Sequence, residues 1–245
     1  MAVQRISVLN VPVDIIQPEE IETELLALLD KPGAKQIIFL SIWDLLYARL
    51  NTEYLVCLEK ADLVLPISKS ILSGARFLKQ KIPVRYNPFT AVIQVLGILE
   101  SHYKSLYMLG SSKKTLQKAE SNLRATFPQL RIVGRCVGYY SKNIEDDIVQ
   151  AIYKAQPSLV LMSEGIKEKN VWAWKRRNRF SSSIFVYYKD AFGIFSEKIK
   201  RVNERTFAHG NEIFVEIAKN PLKVFLIFPY IGYIIKLAWY KFVKN

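Results

Sequence analysis

Residues 105–162 alternate short apolar runs with amphipathic segments, and that alternation leaves few folds open. The runs 105–109, 130–133 and 158–162 are too brief for helices. Their composition is that of strands buried on both faces. Between them, Leu116, Ala119, Leu123 and Phe127 form one apolar stripe at helical spacing, predicting a helix over 113–127. Ile144, Ile148, Val149, Ile152 and Ala155 predict another over 143–155. Ser112 and Asn143 are placed as N-caps, and Glu145, Asp146 and Asp147 put acid at the positive end of the second helix. Two successive β-α-β units imply a parallel sheet with right-handed crossovers. Ligands of such sheets sit beyond the carboxyl ends of the strands. Here those ends are Leu109-Gly110, Arg135-Cys136 and Ser163-Glu164-Gly165.

The flanking chain extends the same pattern. Residues 6–8 and 11–14 alternate around Asn10, which suits a small hairpin. Pro18-Glu19-Glu20 opens a helix that runs to Asp30 and is broken by Pro32-Gly33. Strands are expected at 36–40, 62–65 and 182–187. Helices are expected at 43–50, 52–60, 68–80, 89–99, 167–179 and from 191. The fold class is therefore α/β: a Rossmann-like parallel sheet flanked by helices.

Composition changes near Lys198. From there to the last residue, nine Lys or Arg face three Glu, and residues 224–235 carry no charge. That apolar run is shorter than the ~20 residues of a spanning helix, and Pro229 and Gly232 would weaken it. Edge aromatics and flanking lysines suit a helix lying in the membrane interface. A core helix or an oligomer contact is the alternative. The expected organisation is an α/β domain over 1–197 and a basic, apolar, membrane-associating helical appendage over 198–245. The net charge of +13 calls for an anionic partner. The N-terminus has no signal-peptide core, which suits a cytoplasmic protein.

Familiar catalytic patterns are missing. No glycine-rich dinucleotide fingerprint or P-loop lysine follows a strand, and no serine sits in a nucleophile elbow. Cys57 and Cys136, and His102 and His209, lie at no metal-ligand spacing, so neither a metal nor a cofactor is expected. Asp146-Asp147 reads as a charged helix start. The turn Gly110-Ser111-Ser112 has the form of an anion-binding strand-to-helix turn, or of an ordinary capped one. The basic segment around Trp172 and Trp174 reads as a solvated helix with inward tryptophans; nucleic acid is not the expected partner.

Several short motifs, taken in order, are similar to the WecG/TagA/CpsF glycosyltransferases of bacterial cell-surface polymer synthesis. They are Ala61-Asp62-Leu63-Val64-Leu65-Pro66, Arg85, Leu109-Gly110-Ser111-Ser112, Phe127-Pro128, Gly138-Tyr139-Tyr140, Pro157 with Trp172, Ala191-Phe192, Lys198-Ile199-Lys200-Arg201, Gly210-Asn211-Glu212 and Asn220-Pro221. The resemblance implies transfer of an N-acetylhexosamine from a UDP-sugar to a polyprenyl-diphosphate-linked sugar, at the inner face of the cell membrane. On that basis Arg85 would face a diphosphate. Gly110, Ser111, Ser112, Gly138, Tyr139 and Tyr140 would shape the nucleotide pocket.

The polar positions depart from the family pattern. The place of its proposed general base, an aspartate, holds Ile67, followed by Ser68. Its strand-end Thr and Asn align with Phe39 and Ser41. An isoleucine takes no proton from an attacking hydroxyl. Glu164, at a strand's carboxyl end, is the candidate replacement; Asp62 and Asp190 are the others, Asp62 with a structural role in prospect. Two readings stay open. One is an active transferase. The other is a catalytically inactive relative acting as a binding or scaffolding subunit, in a homo- or hetero-oligomer.

Overall fold

The computed structural model describes residues 3–210 and 221–243. Strands β1 (Gln4–Val8) and β2 (Val11–Ile15) form an antiparallel hairpin whose turn places Leu9 and Asn10 at positive φ. The main sheet holds β3 (Gly33–Leu40), β4 (Leu63–Pro66), β5 (Ser105–Leu109), β6 (Arg131–Cys136), β7 (Leu159–Met162) and β8 (Ser182–Tyr187). Its order is β4-β3-β8-β7-β5-β6, and every pairing is parallel.

Alternation along the strands sorts the core into two layers. Ile37, Phe39, Leu106, Met108, Leu159 and Leu161 face α1 (Ile21–Asp30), α5 (Pro88–Ser101), α6 (Lys113–Thr126) and α9 (Ala191–Phe195). Ile38, Leu40, Leu109, Val160 and Met162 face the other way. They meet α2 (Ile42–Ala48), α3 (Thr52–Lys60), α4 (Lys69–Phe77), α7 (Glu145–Ala155) and α8 (Asn170–Arg176). The strand and helix periods read from the sequence thus become the two faces of one sheet.

Four local expectations change. β6 is an edge strand, half-exposed along its length, because β7 pairs with the other side of β5. Arg131 and Arg135 on that strand guard the open edge with charge. Asn143 lies inside a 3-10 turn, Lys142–Ile144, whose cap is Ser141. The expected helix over 167–179 is shorter: Asn170–Arg176 is α8, and Arg177–Arg179 tightens into a 3-10 turn. Pro66 is part of β4 rather than its stop, which an edge strand tolerates.

The hairpin is fastened to the sheet by Asp14, a buried carboxylate. Arg5 Nε and Nη2 donate to its two oxygens at 2.7 and 2.8 Å, and Val64 N of β4 donates at 2.7 Å. Burial raises the value of each bond and the cost of breaking it. Asp14→Ala strands the Val64 N–H and uncouples Arg5. It is expected to lower unfolding free energy by about 2–4 kcal/mol. A urea midpoint shift at constant m checks this; a shift worth less than about 0.5 kcal/mol would contradict it.

Beyond the sheet come α10 (Glu204–His209) and α11 (Ile227–Val243), the latter preceded by the 3-10 turn Pro221–Leu226. Pro229 falls in the first turn of α11, where its missing N–H interrupts nothing, so the helix continues past it. Tyr230, Tyr233, Leu237 and Tyr240 face the body. Tyr233 Oη donates to Ser70 O at 2.8 Å, and its ring fills the notch left by Gly74 of α4. Tyr240 Oη donates to Asn10 at 2.9 Å. The opposite face carries exposed Phe228, Ile231, Ile235, Trp239 and Phe242. Of the family-like motifs, Asn211, Glu212 and Asn220 lie outside the described residues.

Candidate functional site

The order of strands reverses between β5 and β7: β5 leads outward to β6, β7 leads back to β8. The loops leaving these strands would otherwise leave buried backbone groups unpaired. They satisfy one another instead. Gly110 N donates to Cys136 O at 2.9 Å, Ser111 N to Glu164 O at 2.6 Å, Gly138 N to Ser111 O at 2.8 Å, and Tyr139 N to Gly165 O at 3.0 Å. Glycine is required at 110: φ is +132°, and a Cβ there would lie 2.9 Å from Glu164 O and from Ser163 N.

This lattice decides between the two forms open to the Gly110-Ser111-Ser112 turn. The N–H groups of Gly110 and Ser111 are spent on neighbouring loops, and Ser111 is fully buried. Ser112 caps α6 by accepting from Thr115 N. Gly110 and Ser111 thus form a structural floor, and their two N–H groups are not available to a phosphate.

Glu164 stands on that floor. Ser111 Oγ donates to Glu164 Oε1 at 3.0 Å. The nearby Tyr139 phenol holds its proton more tightly, through desolvation and the glutamate's charge. Glu164 N is fixed to Lys189 O, and Ser163 Oγ to the same carbonyl at 2.6 Å, so β7 and β8 position the residue together. Around the end of β8, Tyr187 is pushed up to about 12 by burial and by the fields of Asp190, Asp44, Glu164 and Tyr139. The fields of three carboxylates, each following a different strand, therefore reach one phenol. Asp62 is elsewhere: it precedes β4, accepts from Gln36 N, and has the structural role expected of it.

Asp44 escaped the sequence reading, which began its helix at residue 43. The signal was present in Ser41-Ile42-Trp43-Asp44, a capping box directly after an apolar strand. Ser41 Oγ donates to Asp44 Oδ2, and Ser41 caps α2 through Asp44 N at 3.1 Å. Burial raises the carboxyl's pKa.

Two hollows open along this edge and share Lys167 and Glu168. One, about 240 Å³, lies between Tyr140, Gly165 and the network around Glu145. There Trp172 Nε1 donates to Glu145 Oε1 at 2.9 Å, Tyr140 Oη at 3.3 Å, and Arg176 pairs with Glu145 Oε2 at 2.8 Å. The other, about 560 Å³, lies between α2, α3 and the loop leading into α8. A third hollow, about 510 Å³, is walled by the hairpin and α1 and includes none of these loops.

Trp172 is buried, Trp174 half-buried, and Lys175, Arg176 and Arg179 are ion-paired with Glu168, Glu145 and Asp146. The segment is a solvated basic face with inward rings, as the sequence suggested. Arg85 lies at the far end of the edge, beyond β4. Its Nε donates to Ile67 O at 2.8 Å, its Nη1 to Phe207 O, and its guanidinium sits 3.7 Å from the Phe207 ring centroid. Ile67, at the aspartate position of the resemblance, packs its side chain against the core.

Two characterised relatives are similar to this chain. Each is an N-acetylglucosaminyldiphosphoundecaprenol N-acetyl-beta-D-mannosaminyltransferase. The protein from Bacillus subtilis (strain 168) is 19% identical over 171 residues, 70% of this chain and 66% of its own length. That from Bacillus spizizenii is 21% identical over 154 residues, 63% of this chain and 59% of its own. The matched region thus spans less than two thirds of either relative. The family model of the WecG/TagA/CpsF glycosyl transferases matches residues 6–244, nearly the whole chain, and the protein belongs to that family.

Proposed function

We propose that the protein is a peripheral membrane glycosyltransferase of cell-surface polysaccharide synthesis. It passes an N-acetylhexosamine from a UDP-sugar to a polyprenyl-diphosphate-linked sugar at the cytoplasmic face of the membrane. The observation that carries this reading is Glu164, an acidic side chain held by Ser111 at the point where the strand order reverses. Nucleotide ligands of open parallel sheets sit at such points.

In this reading the loop Gly138-Tyr139-Tyr140 borders the nucleotide, with the exposed Tyr139 ring available to a base. Glu164 takes the proton of the acceptor hydroxyl as its oxygen attacks the anomeric carbon. The bond from that carbon to the UDP oxygen breaks, UDP leaves with the electron pair, and the configuration inverts. Arg85, beside the appendage, is the cation for the acceptor's diphosphate. Residues 198–245 are the membrane-facing appendage of the 1–197 domain. Helix α11 is bound to the body along its Tyr233 face, which favours lying on the membrane over crossing it.

A second reading, a non-catalytic binding or scaffolding subunit, draws on Ile67, a half-buried apolar residue packed against the core where a base is expected. Titration with UDP, followed by assay of UDP release from UDP-N-acetylhexosamines and a lipid-diphosphate sugar acceptor, separates the two. Saturable UDP binding with acceptor-dependent release is expected. UDP binding without release would leave the scaffolding reading, and neither binding nor release would remove the transferase reading.

A further inference from the structure

Helix α2 and the turn after it carry an apolar stripe that the fold leaves half covered. Trp43, Leu46, Tyr47 and Leu50 recur at i, i+3, i+4 and i+7, which is one face of a helix. Trp43 and Leu46 lean on the core beneath them. Tyr47 is 53% exposed and Leu50 83%, the most exposed large apolar side chain among the described residues. The turn that presents Leu50 is firmly built. Arg49 donates to Leu9 O, and Asn51 both accepts from Tyr54 N at 2.8 Å and donates to Tyr47 Oη at 2.9 Å.

A single exposed leucine would need no explanation. Three observations say what covers this one. The first is its place beside the apolar helix. Arg49 is bonded to Leu9 in the hairpin turn, and the next residue, Asn10, accepts from Tyr240 Oη of α11 at 2.9 Å. Only that hairpin turn separates the α2–α3 turn from the end of α11, where Trp239 and Phe242 are exposed. The second is composition. A tryptophan and a tyrosine flank the leucine, and such amphipathic rings settle at the level of lipid headgroups. The third is charge. Exposed Lys167 and Lys169 line the hollow beside Trp43 and Tyr47 and make no ion pair among the described residues. The acids there are already occupied: Glu53 and Glu168 hold Lys175, and Asp44 accepts from Ser41 N. The unspent charge beside the stripe is therefore positive. A protein partner would need about 800 Å² on each side, and Tyr47 and Leu50 offer roughly 300 Å². A bilayer sets no such minimum once a larger element is held in it.

We infer that the α2–α3 turn is a second membrane contact, on the α/β domain itself. Leu50 enters the acyl boundary of an anionic bilayer, Trp43 and Tyr47 lie at the headgroups, and Lys167 and Lys169 meet lipid phosphates. Held by α11 alone, the domain could roll about the helix axis. A second contact stops that roll and keeps the carboxyl edge, from which α2 starts, at the lipid surface. The inference rests on the reading of α11 as a helix lying on the membrane.

The test is partition of the full chain between buffer and vesicles of phosphatidylglycerol and phosphatidylcholine. Leu50→Glu is expected to weaken partition at least about tenfold, and Leu50→Trp to strengthen it at least about twofold, both unfolding at the wild-type urea concentration. A damaged fold does not produce the second result. Lys167→Gln with Lys169→Gln is expected to weaken partition about tenfold, a difference that closes at roughly 1 M salt. Partition unchanged by both Leu50 variants, while Phe228→Glu, Ile231→Glu, Ile235→Glu abolishes it, would remove this contact and leave α11 as the anchor. Partition unchanged by the lysine pair would overturn the headgroup contact. A wild-type chain that does not partition would overturn the membrane reading and this contact with it. A change of oligomeric state in Leu50→Glu without vesicles would give the face to a second copy and overturn the assignment.

Discussion

Glu164→Gln is expected to reduce UDP release by about 10²–10⁴-fold while leaving UDP affinity within about threefold of wild type. The substitution keeps side-chain volume and an oxygen that accepts from Ser111 Oγ. It removes only the capacity to bind a proton. Because Ser111 is fully buried and its N–H is tied to Glu164 O, the loop geometry should survive. Ser111→Ala is the positioning counterpart. It removes the carboxylate's hydrogen-bonded anchor, so a smaller loss is expected. Rates of Glu164→Gln within about threefold of wild type would exclude a proton-transfer role for this residue. Attention would then move to Asp44 and Asp190, which share the field around Tyr187.

Ending the chain after Pro221 is expected to abolish flotation with vesicles rich in phosphatidylglycerol. The removed segment carries the exposed apolar face of α11, long and apolar enough over Val224–Phe242 to meet a bilayer. Each large side chain inserted contributes roughly 1.5–3 kcal/mol, and each lysine near an anionic surface about 1 kcal/mol. Truncation also uncovers the Gly74 notch that Tyr233 fills, and so risks the fold. The triple substitution Phe228→Glu, Ile231→Glu, Ile235→Glu avoids this. All three side chains point away from the body, being 66%, 48% and 62% exposed. It should float no better than the truncated chain while unfolding at the wild-type urea concentration. Flotation unchanged by the triple substitution would refute the interfacial role of this helix.

Much of this molecule is written in local pattern. The stripe Leu116, Ala119, Leu123 placed α6, and the apolar runs placed β5, β7 and β8 with their ends at the observed residues or one residue away. The order of short motifs led to the family that the whole-chain match shows. The weaker predictions failed for physical reasons. β6 looked like an interior strand because its composition says nothing of which neighbour β7 chooses. The partners of the Gly110 turn were not legible because its first two N–H groups are claimed by Cys136 and Glu164, which lie 26 residues from Gly110 and 53 from Ser111 respectively.

Sequence alone determined the periods, the caps, the charge and the apolar tail, because each depends on residues within a few positions of one another. Only the tertiary structure decided which carboxylates share one region. Asp44, Glu164 and Asp190 follow three different strands, and their fields reach Tyr187 together because of a strand order that no local signal encodes. The same holds for the docked face of α11. Its tyrosines and its isoleucines fall in one uncharged run, and the notch at Gly74 with the acceptor at Ser70 O is what turns Tyr233 inward.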